Sequence, residues 1–376
     1  MPQPIRIAVI MAGGSGERFW PLSRRIRPKQ LLRLASADET LIEESIHRIA
    51  PLIPPARILI ATSLGLVEPI RQARTGVPDE NVIGEPCKRN TAGCLAYAAA
   101  QALARFGGEA NESSISMAVL TADHRIDSPE RFRATVEAAL TAAENQGALA
   151  TIGAVPDRPE TGFGYVEIAE GAESVLSGGG ADWPPVYPVA RFREKPDLAA
   201  AEEFIATGRF FWNCGMFFWR LDRFLEELSH TASAHALATR QMAAALRAGD
   251  SARVERIFEG LEDISIDYAL MEKARGVVMA RANFAWDDVG ALDALDRGYP
   301  RDGQGNVAVG DPILIDTHDC IVYNEPGAER VAVAAIGVEG LAIVVTPDGV
   351  LVVPKDRAQE VKKAVTELKK RGAGQL

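Results

Sequence analysis

Up to residue 154 the chain alternates short apolar runs with helix-forming stretches, and few folds accept that alternation. The runs cover residues 5–11, 57–61, 81–84, 116–121 and 149–154. Most are nearly unbroken, the pattern of strands buried on both faces of a parallel sheet. Helix signals lie between them. Thr40-Leu41-Ile42-Glu43 has the form of a capping box ahead of apolar Ile46 and Ile49. Asn90 or Thr91 opens an alanine-rich helix to residue 106. Ser128-Pro129-Glu130 supplies a cap, a first-turn proline and an acid where the helix dipole favours one. Such strand–helix–strand units build a Rossmann-like, mostly parallel α/β sheet with ligands at the carboxyl ends of its strands. Gly13 to Arg18, Glu85 and Asp123 all fall at such ends.

From Thr161 the texture changes. Strands are expected over residues 162–168, 189–194, 210–219 and 276–281, and helices over 222–247, 251–258 and 264–274. After Pro300 come short β-rich pieces, 313–315, 320–323, 331–336, 341–346 and 350–353, separated by turn signals. They read as a small all-β module, a short β-helix, closed by a basic amphipathic helix over 356–370. The expected division is residues 1–300 and 301–376, which suits a chain of 376 residues.

Net charge is -10, which argues against a chain that coats nucleic acid. Four cysteines form no C-x-x-C pair and five histidines no H-x-x-x-H pair, so neither a disulfide framework nor a histidine-built metal site is expected. No leader pattern opens the chain and no run approaches the roughly 18 apolar residues of a membrane span. A cytoplasmic protein without membrane partners is the expectation.

The turn after the first run is Ala12-Gly13-Gly14-Ser15-Gly16, followed by Arg18 and Lys29. Glycines let backbone N–H groups form an anion nest, and the cations neutralise charge. Phe19 stands where a dinucleotide fingerprint has its third glycine, and no Gly-Lys-Ser/Thr step makes a Walker loop. Spacing alone leaves a phosphate nest and a merely tight strand–helix turn both open.

Further motifs carry a resemblance. Gly13-Gly14-Ser15-Gly16-Glu17-Arg18-Phe19-Trp20-Pro21-Leu22-Ser23-Arg24 with Pro28-Lys29-Gln30 is followed by Glu85-Pro86, Arg89-Asn90-Thr91-Ala92 and Ala122-Asp123-His124. Then come Gly162-Phe163-Gly164-Tyr165, Phe192-Arg193-Glu194-Lys195-Pro196, Trp212-Asn213-Cys214-Gly215 and Trp286-Asp287-Asp288-Val289-Gly290. Each is weak alone; together, in this order, the series resembles the sugar-nucleotide pyrophosphorylases, and within them the GDP-mannose pyrophosphorylases.

That resemblance implies attack of mannose 1-phosphate on the α-phosphorus of GTP, giving GDP-mannose and pyrophosphate. The sugar phosphate arrives ionised, so the site needs cations and a metal rather than a general base. By resemblance, Arg18 and Lys29 stabilise the phosphates and the departing pyrophosphate. Ala12 to Gly16 (Ala12, Gly13, Gly14, Ser15, Gly16), Glu85, Asn90 and Thr91 hold the nucleotide. Asp123 and Asp288 bind Mg²⁺, with Asp287 as a neighbour. Gly164, Glu194, Lys195 and Asn213 take the sugar phosphate. Glu85 also has its own reading, since a carboxylate accepts from both N1–H and the amino group of guanine. Cys214 stands where the family would have serine or a similar small residue, which puts a hydroxyl contact there in doubt. The β-rich tail with its helix is, by the same analogy, a surface for a homodimer.

Three other readings compete. A guanylyltransferase for another hexose 1-phosphate keeps every motif. A non-catalytic paralogue would be expected to lack Arg18, Lys29, Asp123 or Asp288, and all four are present. A dinucleotide oxidoreductase is favoured only by Asp38 and Glu39, about 20 residues past the turn. Residues 301–376 are too few for the fused isomerase barrel of longer bacterial relatives, so no isomerisation of fructose 6-phosphate or mannose 6-phosphate is expected.

Overall fold

The computed structural model describes residues 4–36, 38–107, 112–176, 183–325 and 331–376. It divides into two compact units. One takes Met1–Ala12, Ile46–Thr121 and Ile126–Trp286; the other takes Gly13–Ser45, Ala122–Arg125 and Asp287–Leu376.

The first unit is built on a nine-stranded sheet. Its order is Val82–Glu85, Ile58–Ser63, Ile5–Met11, Ile115–Thr121, Phe210–Arg220, Leu149–Ala154, Val277–Arg281, Val186–Glu194 and Gly164–Ile168. The first four strands pair in parallel, as the alternation requires. Phe210–Arg220 then runs antiparallel between Ile115–Thr121 and Leu149–Ala154. The sheet is therefore parallel through its first four strands and mixed beyond them. For the strands at the far edge the cause lies in their connection. Gly164–Ile168 and Val186–Glu194 pair as antiparallel neighbours, and no helix separates them among the described residues. Antiparallel strands need no crossover helix.

Helix Asn90–Phe106 is buried from Ala92 to Leu103. Its alanines let it share one core with Ile7, Val9 and Val119 of the sheet and with Ala236, Met242 and Ala243 of helix Ser233–Arg247. The single helix expected over 222–247 is two, Leu221–Thr231 and Ser233–Arg247, broken at Ala232 with φ −148°. Ser128 does stand at the N-cap of Pro129–Gln146, but its side chain makes no capping bond.

In the second unit Val307–Val309, Ile321–Asn324, Leu341–Thr346 and Gly349–Pro354 form one sheet, and Ile313–Ile315 pairs with Ala334–Ile336. The pairings are parallel except for the last hairpin, as in the coils of a short β-helix. The strand Val307–Val309 is not among the expected pieces. Val307, Ile321, Tyr323, Ala342 and Val344 share a core with Phe19, Leu22, Leu32, Leu34 and Leu41. Helix Val361–Lys370 adds buried Val361 and Val365. Among the described residues, no helix is long and apolar enough to cross a membrane.

The capping box is formed. Thr40 N–H donates to Glu43 Oε2 at 2.7 Å, and Glu43 N–H reaches Thr40 Oγ1 at 3.4 Å. Thr40→Ala should lower stability by about 1 kcal/mol, read as an earlier urea midpoint with an unchanged slope. An unchanged midpoint would mean the cap adds nothing.

Candidate active site

Strand Ile5–Met11 leads into the glycine turn, and the turn is set against Lys29. Gly16 has φ 63°, and a Cβ there would lie 2.6 Å from Lys29 Cβ and 2.7 Å from its backbone nitrogen. Only glycine meets both demands. Gly16 O accepts from Phe19 N–H at 2.9 Å and from the Ser23 hydroxyl at 2.7 Å, which closes the turn.

Lys29 is 7% exposed. Its ammonium donates to Asp123 Oδ2 at 2.8 Å and to the Asp288 carbonyl at 2.6 Å. The guanidinium of Arg18 has neither an ion pair nor a hydrogen bond among the described residues. A cavity of about 360 Å³ is lined by Gly14 to Arg18, Lys29, Asp123 and Asp288, and by Lys362 of the C-terminal helix. Sequence reasoning placed Lys362 only on a basic amphipathic helix.

The two acids of this cavity differ. Burial acts to raise the Asp123 carboxyl, but the charges of Lys29 and His124 outweigh it and hold Asp123 below the usual range. Burial pushes Asp288 up to about 6, against the pull of Lys29 and with the repulsion of Asp287 and Asp123. Asp287 is spent locally: it accepts Val289 N–H at 2.7 Å and pairs with Arg297. That turn holds Val289 at φ 49°, rare for a β-branched residue. Among the described residues, no group of three or more His, Cys, Asp or Glu could hold a metal ion. Two carboxylates with incompletely balanced charge still suit a hard divalent ion that keeps its other positions for phosphate oxygens.

The remaining expected residues lie in the first unit. Glu85 ends strand Val82–Glu85, and burial pushes its carboxyl up to about 7, partly opposed by a hydrogen bond from the Cys94 thiol. Asn90 begins its helix at φ 56°, with Oδ1 accepting Thr91 N–H at 2.9 Å. Thr91 Oγ1 accepts Ile266 N–H at 2.8 Å.

Gly164, Glu194, Lys195 and Asn213 come together. Gly164 faces Glu194 across an antiparallel pair, and a Cβ at 164 would lie 2.5 Å from Glu194 Oε2. Lys195 donates to Glu194 Oε1 at 2.8 Å. Asn213 Oδ1 accepts from Thr151 Oγ1 at 3.0 Å and Gly215 N–H at 3.2 Å, while its Nδ2 donates to Asp267 Oδ1 at 3.0 Å. Asp267 was missed in the sequence because it lies in a stretch that reads as an ordinary helix. It opens a π-helical turn, Asp267–Met271, and burial with the charge of Glu194 pushes its carboxyl up to about 6. Cys214 is buried, and burial drives its thiol well up.

Comparison with known proteins bears on both units. A family model described as nucleotidyl transferase matches residues 7–302, and one described as MannoseP isomerase/GMP-like beta-helix domain matches residues 310–368. The chain is 38% identical to the mannose-1-phosphate guanylyltransferase of Escherichia coli, over 96% of this chain and 74% of that protein. It is 35% identical to the alginate biosynthesis protein AlgA of Pseudomonas aeruginosa, over 97% of this chain and 73% of the relative. The chain belongs to the mannose-1-phosphate guanylyltransferase family of nucleotidyl transferases. Among solved structures, one described as mannose-1-phosphate geranyltransferase from Thermus thermophilus superposes with a TM-score of 0.82 at 37% identity, covering 97% of this chain and 99% of that one. A mannose-6-phosphate isomerase structure from Helicobacter pylori gives a TM-score of 0.57 at 26% identity, over 75% of this chain and 99% of that one.

For a guanylyltransferase of this family the Glu85 environment has a measurable consequence. Its carboxyl rises from an ordinary 4.5 to about 7 on folding, so the folded protein holds that proton more tightly. The contribution to stability is full below the unfolded value and is lost as pH rises through about 7. Glu85→Gln removes the loss. The melting temperature of the variant relative to the parent should therefore be more favourable at pH 8 than at pH 4.5; a difference independent of pH would show that burial of Glu85 has no such effect.

Proposed function

We infer that this chain is a GTP-dependent enzyme that transfers a guanylyl group to mannose 1-phosphate, giving GDP-mannose and pyrophosphate. The observation that carries the reading is the gathering of Arg18, Lys29, Asp123 and Asp288 around one cavity beneath the glycine turn, in a chain similar to guanylyltransferases along nearly its whole length.

On this reading the backbone of Ala12 to Gly16 cradles the triphosphate, and unpaired Arg18 neutralises charge on the departing pyrophosphate. Lys29 is already engaged with Asp123 and with the Asp288 carbonyl, so it first fixes those acids and then offers its third N–H to a phosphate oxygen. Asp123 and Asp288 would hold Mg²⁺, which when bound supplies Lewis-acid polarisation of phosphate oxygens. Glu85 accepts from the guanine edge, with Asn90 and Thr91 near the nucleotide. On the sugar side the bare backbone of Gly164 admits a hexose beside Glu194, and Lys195 meets its phosphate. Asn213 has three of its hydrogen bonds committed within the protein, so it orients Asp267, whose second oxygen is then available to a sugar hydroxyl. Binding energy goes into alignment and charge neutralisation, the two terms in-line phosphoryl chemistry requires.

Pyrophosphate release from each of four nucleoside triphosphates, with mannose 1-phosphate or glucose 1-phosphate, tests the reading. Release is expected with GTP and mannose 1-phosphate, and silence with every pair would overturn it. Glu85→Gln should relax the preference for GTP over dTTP. Asp288→Asn should lower turnover on the order of a hundred-fold, as loss of one preorganised electrostatic group does, with little change in melting temperature. Near-normal turnover would remove Asp288 from the metal site.

A further inference from the structure

We propose that Lys362, on the C-terminal helix, is a third cation of the phosphate cavity and contacts the β- and γ-phosphates of the triphosphate and the pyrophosphate they become. The proposal rests on the reading above that the cavity receives a nucleoside triphosphate.

The argument is one of charge already committed. The cavity is lined by three cations, Arg18, Lys29 and Lys362, and by Glu17, Asp123 and Asp288. Lys29 is engaged with Asp123. Glu17 is engaged with Lys369. That leaves Arg18 and Lys362, neither of which has an ion pair among the described residues. A triphosphate and its pyrophosphate product carry several negative charges in a small volume. Lys362 doubles the uncommitted positive charge that meets them.

The helix holds Lys362 in place. Val361 and Val365, one turn apart, are buried and anchor Val361–Lys370 in the core of its unit. Lys362, Thr366 and Lys369 follow at i, i+4 and i+7, so they share one face. Lys369 on that face pairs with Glu17, beside Arg18 in the catalytic turn. Beyond the helix, the Trp20 indole N–H donates to Gln375 O at 2.9 Å. The face that carries Lys362 is thus tied to the segment that directly follows the glycine turn. Lys363, a hundred degrees further round, instead pairs with Glu360 at 2.7 Å and serves as an internal control.

Calorimetric titration of inorganic pyrophosphate into the parent protein, Lys362→Ala, Lys362→Arg and Lys363→Ala tests this without turnover. Lys362→Ala should weaken pyrophosphate binding by about ten-fold, the loss of one charge-assisted contact. Lys362→Arg should retain most of it, and Lys363→Ala should match the parent. In the reverse reaction the KM for pyrophosphate should rise in Lys362→Ala while the KM for GDP-mannose holds. Lys362 is exposed, so melting temperature should not move. Pyrophosphate affinity in Lys362→Ala within about two-fold of the parent would overturn the proposal, even if the enzyme turns over GTP and mannose 1-phosphate. Weakened pyrophosphate binding in a protein inactive with every substrate pair would uphold Lys362 and overturn the functional reading instead.

Discussion

One buried ammonium gathers the candidate site of the second unit. Lys29 reaches Asp123 and the Asp288 carbonyl, 94 and 259 residues away in sequence. It also lies where a side chain at Gly16 would be, so the phosphate turn is seated on its backbone. Three separate segments therefore take their positions from one residue. A buried ammonium that loses its carboxylate is costly, and pairing Lys29 with half-buried Asp123 gives the fold a reason to hold this geometry before any ligand arrives. The same engagement shapes the chemistry. On the proposed reading, a lysine already paired is a weaker partner for phosphate, and the burden of neutralisation would fall on Arg18 and on whatever else faces the cavity.

Much of the fold was legible in the sequence because its strands are short apolar runs with hard boundaries. Residues 5–11, 149–154, 313–315 and 341–346 coincide with Ile5–Met11, Leu149–Ala154, Ile313–Ile315 and Leu341–Thr346. Sheet order was less legible. Nothing local marks Phe210–Arg220 as the strand that enters between Ile115–Thr121 and Leu149–Ala154 in the opposite sense. The break at Ala232 is hidden too, since alanine favours helix.

The candidate site shows the same division. Glycine turns, acids at strand ends and a lysine after proline have local reasons to stand out, and the structure gathers Arg18, Lys29, Asp123 and Asp288 around one cavity and Gly164, Glu194, Lys195 and Asn213 in another place. Asp267 and Lys362 have none. Each sits in a helical stretch whose neighbours explain it well enough, and each gains meaning only from a partner far along the chain: Asn213 for Asp267, and the segment after the glycine turn for the face that carries Lys362. Asn213 marks the opposite case. Its type and place are readable in the sequence, whereas its bonds to Thr151, Gly215 and Asp267 are seen only in the fold.

The core around the β-helical strands has an evolutionary corollary. Val307, Ile321 and Val344 are covered by Phe19, Leu22, Leu32 and Leu34, so this small unit is completed by the opposite end of the polypeptide. A segment beginning near residue 301 could not be exchanged between proteins as a self-sufficient cassette, because it would carry an apolar face without its cover. Recombination that preserves the fold must keep the two ends together, and the phosphate turn travels with them.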